Sequence, residues 1–183
     1  IRLDWEGVTG RLPEGVRVIF YPKDTQGRKI DTYLPAKGGE MKVPPGHYLA
    51  VIYNYDTEVV QVKGEDSYET IMACTGNCTG LGDSETENMV WGPDNFYVAT
   101  LDDVEIGKGE ELPTLEVRPK SVVTTYIFSI KTEGLKNVSS IIGSVSGMAE
   151  CYHLGKGAGL CRFAPIYCET GKGNGVCLLY TSP

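Results

Sequence analysis

The stretch PPGHYLAVIYNYDTEVVQVKG, Pro44 to Gly64, decides the fold class. A Pro-Pro-Gly break precedes a run dense in Tyr, Val, Ile and Leu. Asn54 and Asp56 interrupt that run, and a second Val-rich run follows. β-Branched and aromatic residues between turn formers predict two strands with a short connection. Nothing in the stretch resembles a reaction centre.

The same pattern continues on both sides. Ile1 to Trp5 alternates, and VRVIFYP places Val16, Val18 and Phe20 on one face before Pro22 ends it. Lys29–Leu34 and Glu40–Val43 are shorter candidates, and Val59–Val62 and Ser67–Ala73 follow. Phe96–Thr100, Val104–Ile106 and Thr114–Arg118 resume the strand character after a gap. Turn formers separate these runs at short intervals, as sandwiches and barrels require. The expected fold class is all-β: an antiparallel β-sandwich over residues 1–119, of about seven strands, followed by a second, truncated β-sandwich unit over 120–176. In the second unit, Val122–Ile130 and Ser139–Ser146 are expected to pair with each other. Met148 to Leu154 has room for one helical turn, and no long amphipathic helix is predicted anywhere.

CTGNCTGLGDSETENMVWGP, Cys74 to Pro93, breaks the alternation and is expected to be a long, exposed loop. Its acids Asp83, Glu85 and Glu87 lack the spacing of a calcium loop, so a solvated charged loop is the plainer reading.

The chain has 183 residues, 41% of them hydrophobic, so a packed core is within reach. Its net charge is −7 and no basic run occurs, which argues against nucleic-acid binding. No apolar stretch is long enough to cross a bilayer as a helix. A chain that opens at Ile1 and enters a strand pattern at once is expected to lack preceding residues, so no leader or anchor is read from it.

The six cysteines do not form two paired ligand groups, and His47 and His153 stand alone, so no metal site is expected. Cys74 and Cys78 have three residues between them. Either they form a local disulfide, as in exported proteins, or they are free thiols. No nucleophile elbow, phosphate loop or dinucleotide fingerprint occurs. Asp102 and Asp103 are adjacent, hence on opposite faces of a strand, and do not make an acid–base pair. No catalytic residue and no cofactor is therefore expected. The 11 tyrosines are the surplus. Tyr53, Tyr55, Trp91 and Tyr97 are the candidates for glycan stacking or a protein interface. The plain alternative is that they pack the sandwich.

VRVIFYP, PPGHYLAVIYNYDTE, DSYETI, the long loop and NFYVATLDDVEI, in that order, resemble the N-terminal half of a family of Bacteroidales surface proteins. These are of the DUF5119 type, close in organisation to fimbrillin anchor and minor subunits. LKNVSSIIGSVSGMAECYHL looks like the start of that family's second domain. The resemblance implies two transthyretin-like β-sandwiches in an exported lipoprotein of the outer membrane. It implies a non-enzymatic role as a fimbrial anchor, minor or tip subunit. Partners would be fimbrial subunits met by strand pairing, with the membrane reached only through a lipid outside these residues. A carbohydrate-binding surface module is the alternative. The last residues, CLLYTSP (Cys177–Pro183), match the translation of a transposon-end sequencing adapter. They are expected to be a non-native tail without specific contacts.

Overall fold

The computed structural model describes residues 1–23, 27–78, 89–109, 113–129, 133–134, 136, 141–159, 163–170 and 176–181. The protein is all-β, as expected. Its centre is an antiparallel sheet of five strands. These are β2 (Gly15–Pro22), β3 (Ile30–Pro35), β4 (Gly46–Asn54), β8 (Tyr97–Ile106) and β10 (Lys120–Ser121), in the order β10-β8-β4-β2-β3. A second antiparallel sheet contains β5 (Val60–Lys63), β6 (Met72–Thr75), β13 (Cys151–His153) and β14 (Ala158–Gly159), in the order β14-β13-β6-β5.

β2 and β4 are central strands, and their near-continuous apolar runs have a cause. Both faces of the five-stranded sheet are covered. Val16, Val18 and Phe20 of β2 join Tyr48, Ala50 and Ile52 of β4 in one core, closed by Leu3, Val117 and the side chains of Trp5 and Met41. Ile19 and Tyr21 join Val51 and Tyr53 on the opposite face, where they meet Val60 and Ala73 of the second sheet and Ile71 and Leu154 next to its strands. Each fully buried Ile or Phe contributes roughly 1.5–3 kcal/mol. The first core is lidded by β1 (Arg2–Leu3), which runs parallel to β9 (Glu116–Val117).

β4 and β5, read as neighbours, lie in different sheets. Tyr55–Val59 carries the chain from one layer to the other. The strand expected at Glu40–Val43 does not form, and Met41 and Val43 pack on the core from an irregular segment.

A third sheet holds β7 (Val90–Trp91), β12 (Ile141–Ala149) and β15 (Phe163–Thr170), with β7 parallel to β15. β11 (Thr124–Ser129) pairs antiparallel with β16 (Val176–Thr181).

Four expectations are corrected here. The sandwich does not end at 119: β10 extends the first sheet, Cys151–Gly159 supplies half of the second, and Val122 and Leu154 lie in the shared core. Residues 148–154 form no helical turn but the end of β12 and the whole of β13. β11 and β12 do not pair with each other; each takes a later strand, β16 and β15. Val176–Thr181 makes specific contacts, as a six-residue ladder with β11. An apolar, β-prone run will satisfy an open strand edge whatever its origin, because the edge offers backbone groups and not a side-chain code. Of the expected loop, residues 79–88 lie outside the described ones, with Asp83, Glu85 and Glu87. Its flanks are ordered structure: Cys78 is buried with its N–H donating to the Met89 carbonyl at 2.8 Å.

Candidate interaction surface

β3 is an edge strand, paired only with β2 among the described residues. Such an edge presents unpaired backbone donors and acceptors. Its one proline, Pro35, stands at the end of the strand. Across the sheet the register places Tyr33 beside Arg17 and Arg17 beside Tyr53. These three side chains therefore share a face, and a network grows from them. Arg17 donates from Nε to Asp31 Oδ1 at 2.9 Å and from Nη2 to Asp31 Oδ2 at 2.6 Å. Its Nη1 donates to the Tyr53 hydroxyl at 3.1 Å and also to Glu65. Tyr53 donates to Glu65 Oε1 at 2.8 Å. The Tyr21 hydroxyl and Lys29 Nζ donate to the Glu65 carbonyl at 2.9 and 3.0 Å. The turn after β5 is thus bolted to β2 and β4 of the other sheet, and to Lys29 just before β3.

Electrostatics follow the geometry. Hydrogen bonds from Arg17 hold the Asp31 carboxyl below its ordinary range. Burial, then the bond to Glu65, pushes the Tyr53 hydroxyl up. Burial does the same for Tyr21. The Arg17 guanidinium also lies 5.4 Å from the Tyr33 ring centroid, a cation–π contact. Tyr33 is the outer end of this row, 58% exposed. Tyr55 meets it edge-on at 5.2 Å. Gly15 makes room for that arrangement, since a Cβ there would fall 2.8 Å from the Tyr55 hydroxyl.

The four aromatic candidates therefore separate. Tyr53 and Tyr97 are buried, at 3% and 7% exposure, and are corrected from surface contacts to core residues. Alternation along β4 did not reveal this, because both faces of that sheet are covered. Tyr97 meets Trp5 edge-on at 5.6 Å. Tyr55 and Trp91 remain exposed, but on different partners: Tyr55 on Tyr33, and Trp91 against Tyr167 at 5.3 Å. No contact brings the four together. Tyr33 was missed, and its signal was present: a tyrosine in a short strand whose apolar neighbours sit at the other parity.

The expected Cys74–Cys78 disulfide is replaced by Cys74–Cys151. The two residues are directly opposite in β6 and β13, with Cα atoms 4.2 Å apart. Four residues of extended chain span about 13 Å, whereas a disulfide needs Cα atoms within about 7 Å. Cys78 is a free thiol, and burial pushes its pKa up, away from reactivity. Among the described residues, no group of three His, Cys, Asp or Glu side chains is placed to hold a metal.

Comparison with known proteins fits this architecture. The model of a family described as "Domain of unknown function (DUF5119)" matches residues 1–169. The "Putative fimbrium anchoring subunit Fim4B" of Bacteroides ovatus is 55% identical over 174 residues, which is 95% of this chain and 52% of that protein. The chain thus spans about half the length of the curated relative it matches. A crystal structure from the same species, of a "putative adhesin", superposes with a TM-score of 0.88 at 52% identity, covering 98% of this chain and 63% of that one. The fimbrial anchor protein Mfa2 of Porphyromonas gingivalis shares the fold, with a TM-score of 0.53 at 14% identity over 93% of this chain and 64% of its own.

Proposed function

Because the chain belongs to the DUF5119 family, we propose that it is a non-enzymatic structural protein of the cell surface, which anchors or terminates a fimbrium. The observation that carries this reading is the high identity, along nearly the whole chain, to a relative named for fimbrium anchoring. Export fits the disulfide, which belongs to oxidising compartments. The outer membrane is the expected seat, with the lipid anchor outside these residues.

The mode of attachment is strand addition at the β3 edge. An added strand gains affinity from backbone hydrogen bonds and register from the side chains beside it. Tyr33 and Tyr55 flank this edge as exposed aromatic anchors. The test is photocross-linking in cells that assemble the fimbria, with p-benzoylphenylalanine in place of Tyr33. A fimbrial subunit should be captured there and not from Ser121 on β10, at the opposite edge of the sheet. Equal capture from both edges, or capture of no fimbrial subunit, overturns the reading.

A further inference from the structure

At one end of the sandwich, segments 11–14, 54–58 and 94–97 enclose a polar cleft of about 350 Å³. That volume falls within the range of small-molecule sites, about 300–1,000 Å³. We propose that this cleft is a binding site for a neutral saccharide. The inference does not depend on the anchoring role and stands or falls separately from it.

Three side chains hold the cleft's walls in place. Asn54 is 2% exposed; its amide donates to Asp56 Oδ1 at 2.9 Å and to the Asn95 carbonyl at 3.1 Å. Asp56 Oδ2 accepts from the Glu14 N–H at 3.0 Å. Asp94 Oδ2 accepts from three successive N–H groups, of Glu58, Val59 and Val60, at 2.9, 2.6 and 3.0 Å. The three segments are tied to one another by side chains, so the cleft is formed before any ligand arrives. Preorganisation of this kind lowers the cost of binding.

The same bonds decide the ligand's chemistry. Both Asp56 oxygens and Asp94 Oδ2 already accept hydrogen bonds from the protein. Arg11 adds a positive charge at the rim and pairs with Glu14 at 3.3 Å. The groups without a hydrogen bond to another described residue are the Glu58 carboxylate, Asp94 Oδ1 and the Asn95 side-chain amide. Beside them, Leu12 offers an apolar wall, 45% exposed. A planar carboxylate and a planar amide next to an apolar wall match the hydroxyls and the C–H face of a sugar ring.

The experiment is saturation-transfer NMR on the whole chain with galactose, mannose, N-acetylglucosamine and fucose, each also as a disaccharide. At least one should receive saturation. Asn95→Ala and Glu58→Ala should each weaken its binding about 10-fold, the loss of one good hydrogen bond to ligand. Neither side chain holds the fold, and Tyr33→Ala, outside the cleft, should change nothing. No transfer to any of the sugars, or binding unaffected by both cleft variants, overturns the proposal. So does preferential binding of spermine or calcium over every sugar.

Discussion

The backbone N–H of Tyr97 donates to the side-chain carbonyl of Asn54 at 2.8 Å. The ladder between β4 and β8 reaches Tyr53 opposite Val98, and a side chain continues it one step further. Asn54→Ala would leave that buried N–H without its acceptor and release two donated bonds as well. The expected loss is about 2–3 kcal/mol, the cost of orphaned buried polar groups. Urea unfolding measures it, and a loss under 0.5 kcal/mol would show that water replaces the amide at no cost.

Arg17→Ala should destabilise by about 2 kcal/mol, because it leaves Asp31 and Glu65, each side chain 24% exposed, facing each other without their shared cation. Arg17→Met should recover part of the loss through packing alone. Equal stability of the two variants would assign the whole effect to charge.

The network also sets a pH profile. The Asp31 carboxyl is depressed in the fold, so its contribution is fully present above about pH 4 and is lost as pH falls below that. The Tyr21 and Tyr53 hydroxyls are raised in the fold, so their contribution is present below about pH 10 and is lost above it. The urea midpoint should be flat between these limits and fall on both sides. Asp31→Asn should flatten the acid limb, and an unchanged acid limb in that variant would exclude Asp31 as its source.

Gly64 has a φ of +67° and lies against the Thr70 carbonyl, where a Cβ would approach to 2.2 Å. Gly64→Ala should cost at least about 1–2 kcal/mol, from the left-handed backbone and the forced shift of the turn below the Arg17 network. Thermal unfolding monitored by far-ultraviolet circular dichroism reads the change. A melting temperature equal to that of the parent would show that the turn yields freely.

Truncation after Pro119 should not yield a folded sandwich. It removes β13 and β14 and exposes Ile71 and Tyr21, which pack in the core that Leu154 completes. A cooperative melt of residues 1–119 would restore the boundary expected from the alternation pattern.

Alternation announced β2 and β4, whose residues are mainly β-branched and aromatic, but broke β8 into Phe96–Thr100 and Val104–Ile106, because Leu101–Asp103 interrupts its pattern. It did not announce their partners. A strand's pattern states that a face is buried, not which strand buries it, so β11 and β12 were matched to each other and not to β16 and β15. β13 is three residues long, and its place beside β6 rests on contacts between residues 77 apart in sequence. No local signal carries that information. The same limit hid the burial of Tyr53 and the ties around the cleft, where Asp56 and Asp94 accept from N–H groups distant in sequence.

Under the proposed anchoring role, the Cys74–Cys151 bond has a mechanical meaning. Tension applied between the two ends of the chain enters Cys74 and leaves at Cys151 through a covalent link. The intervening residues, including β7, β8 and β12, lie off the line of force. The bond encloses a sequence separation of 77 residues, equivalent to roughly 260 Å of extended chain that pulling cannot pay out. Reduction would release that length, and the sandwich would become extensible where it had been stiff.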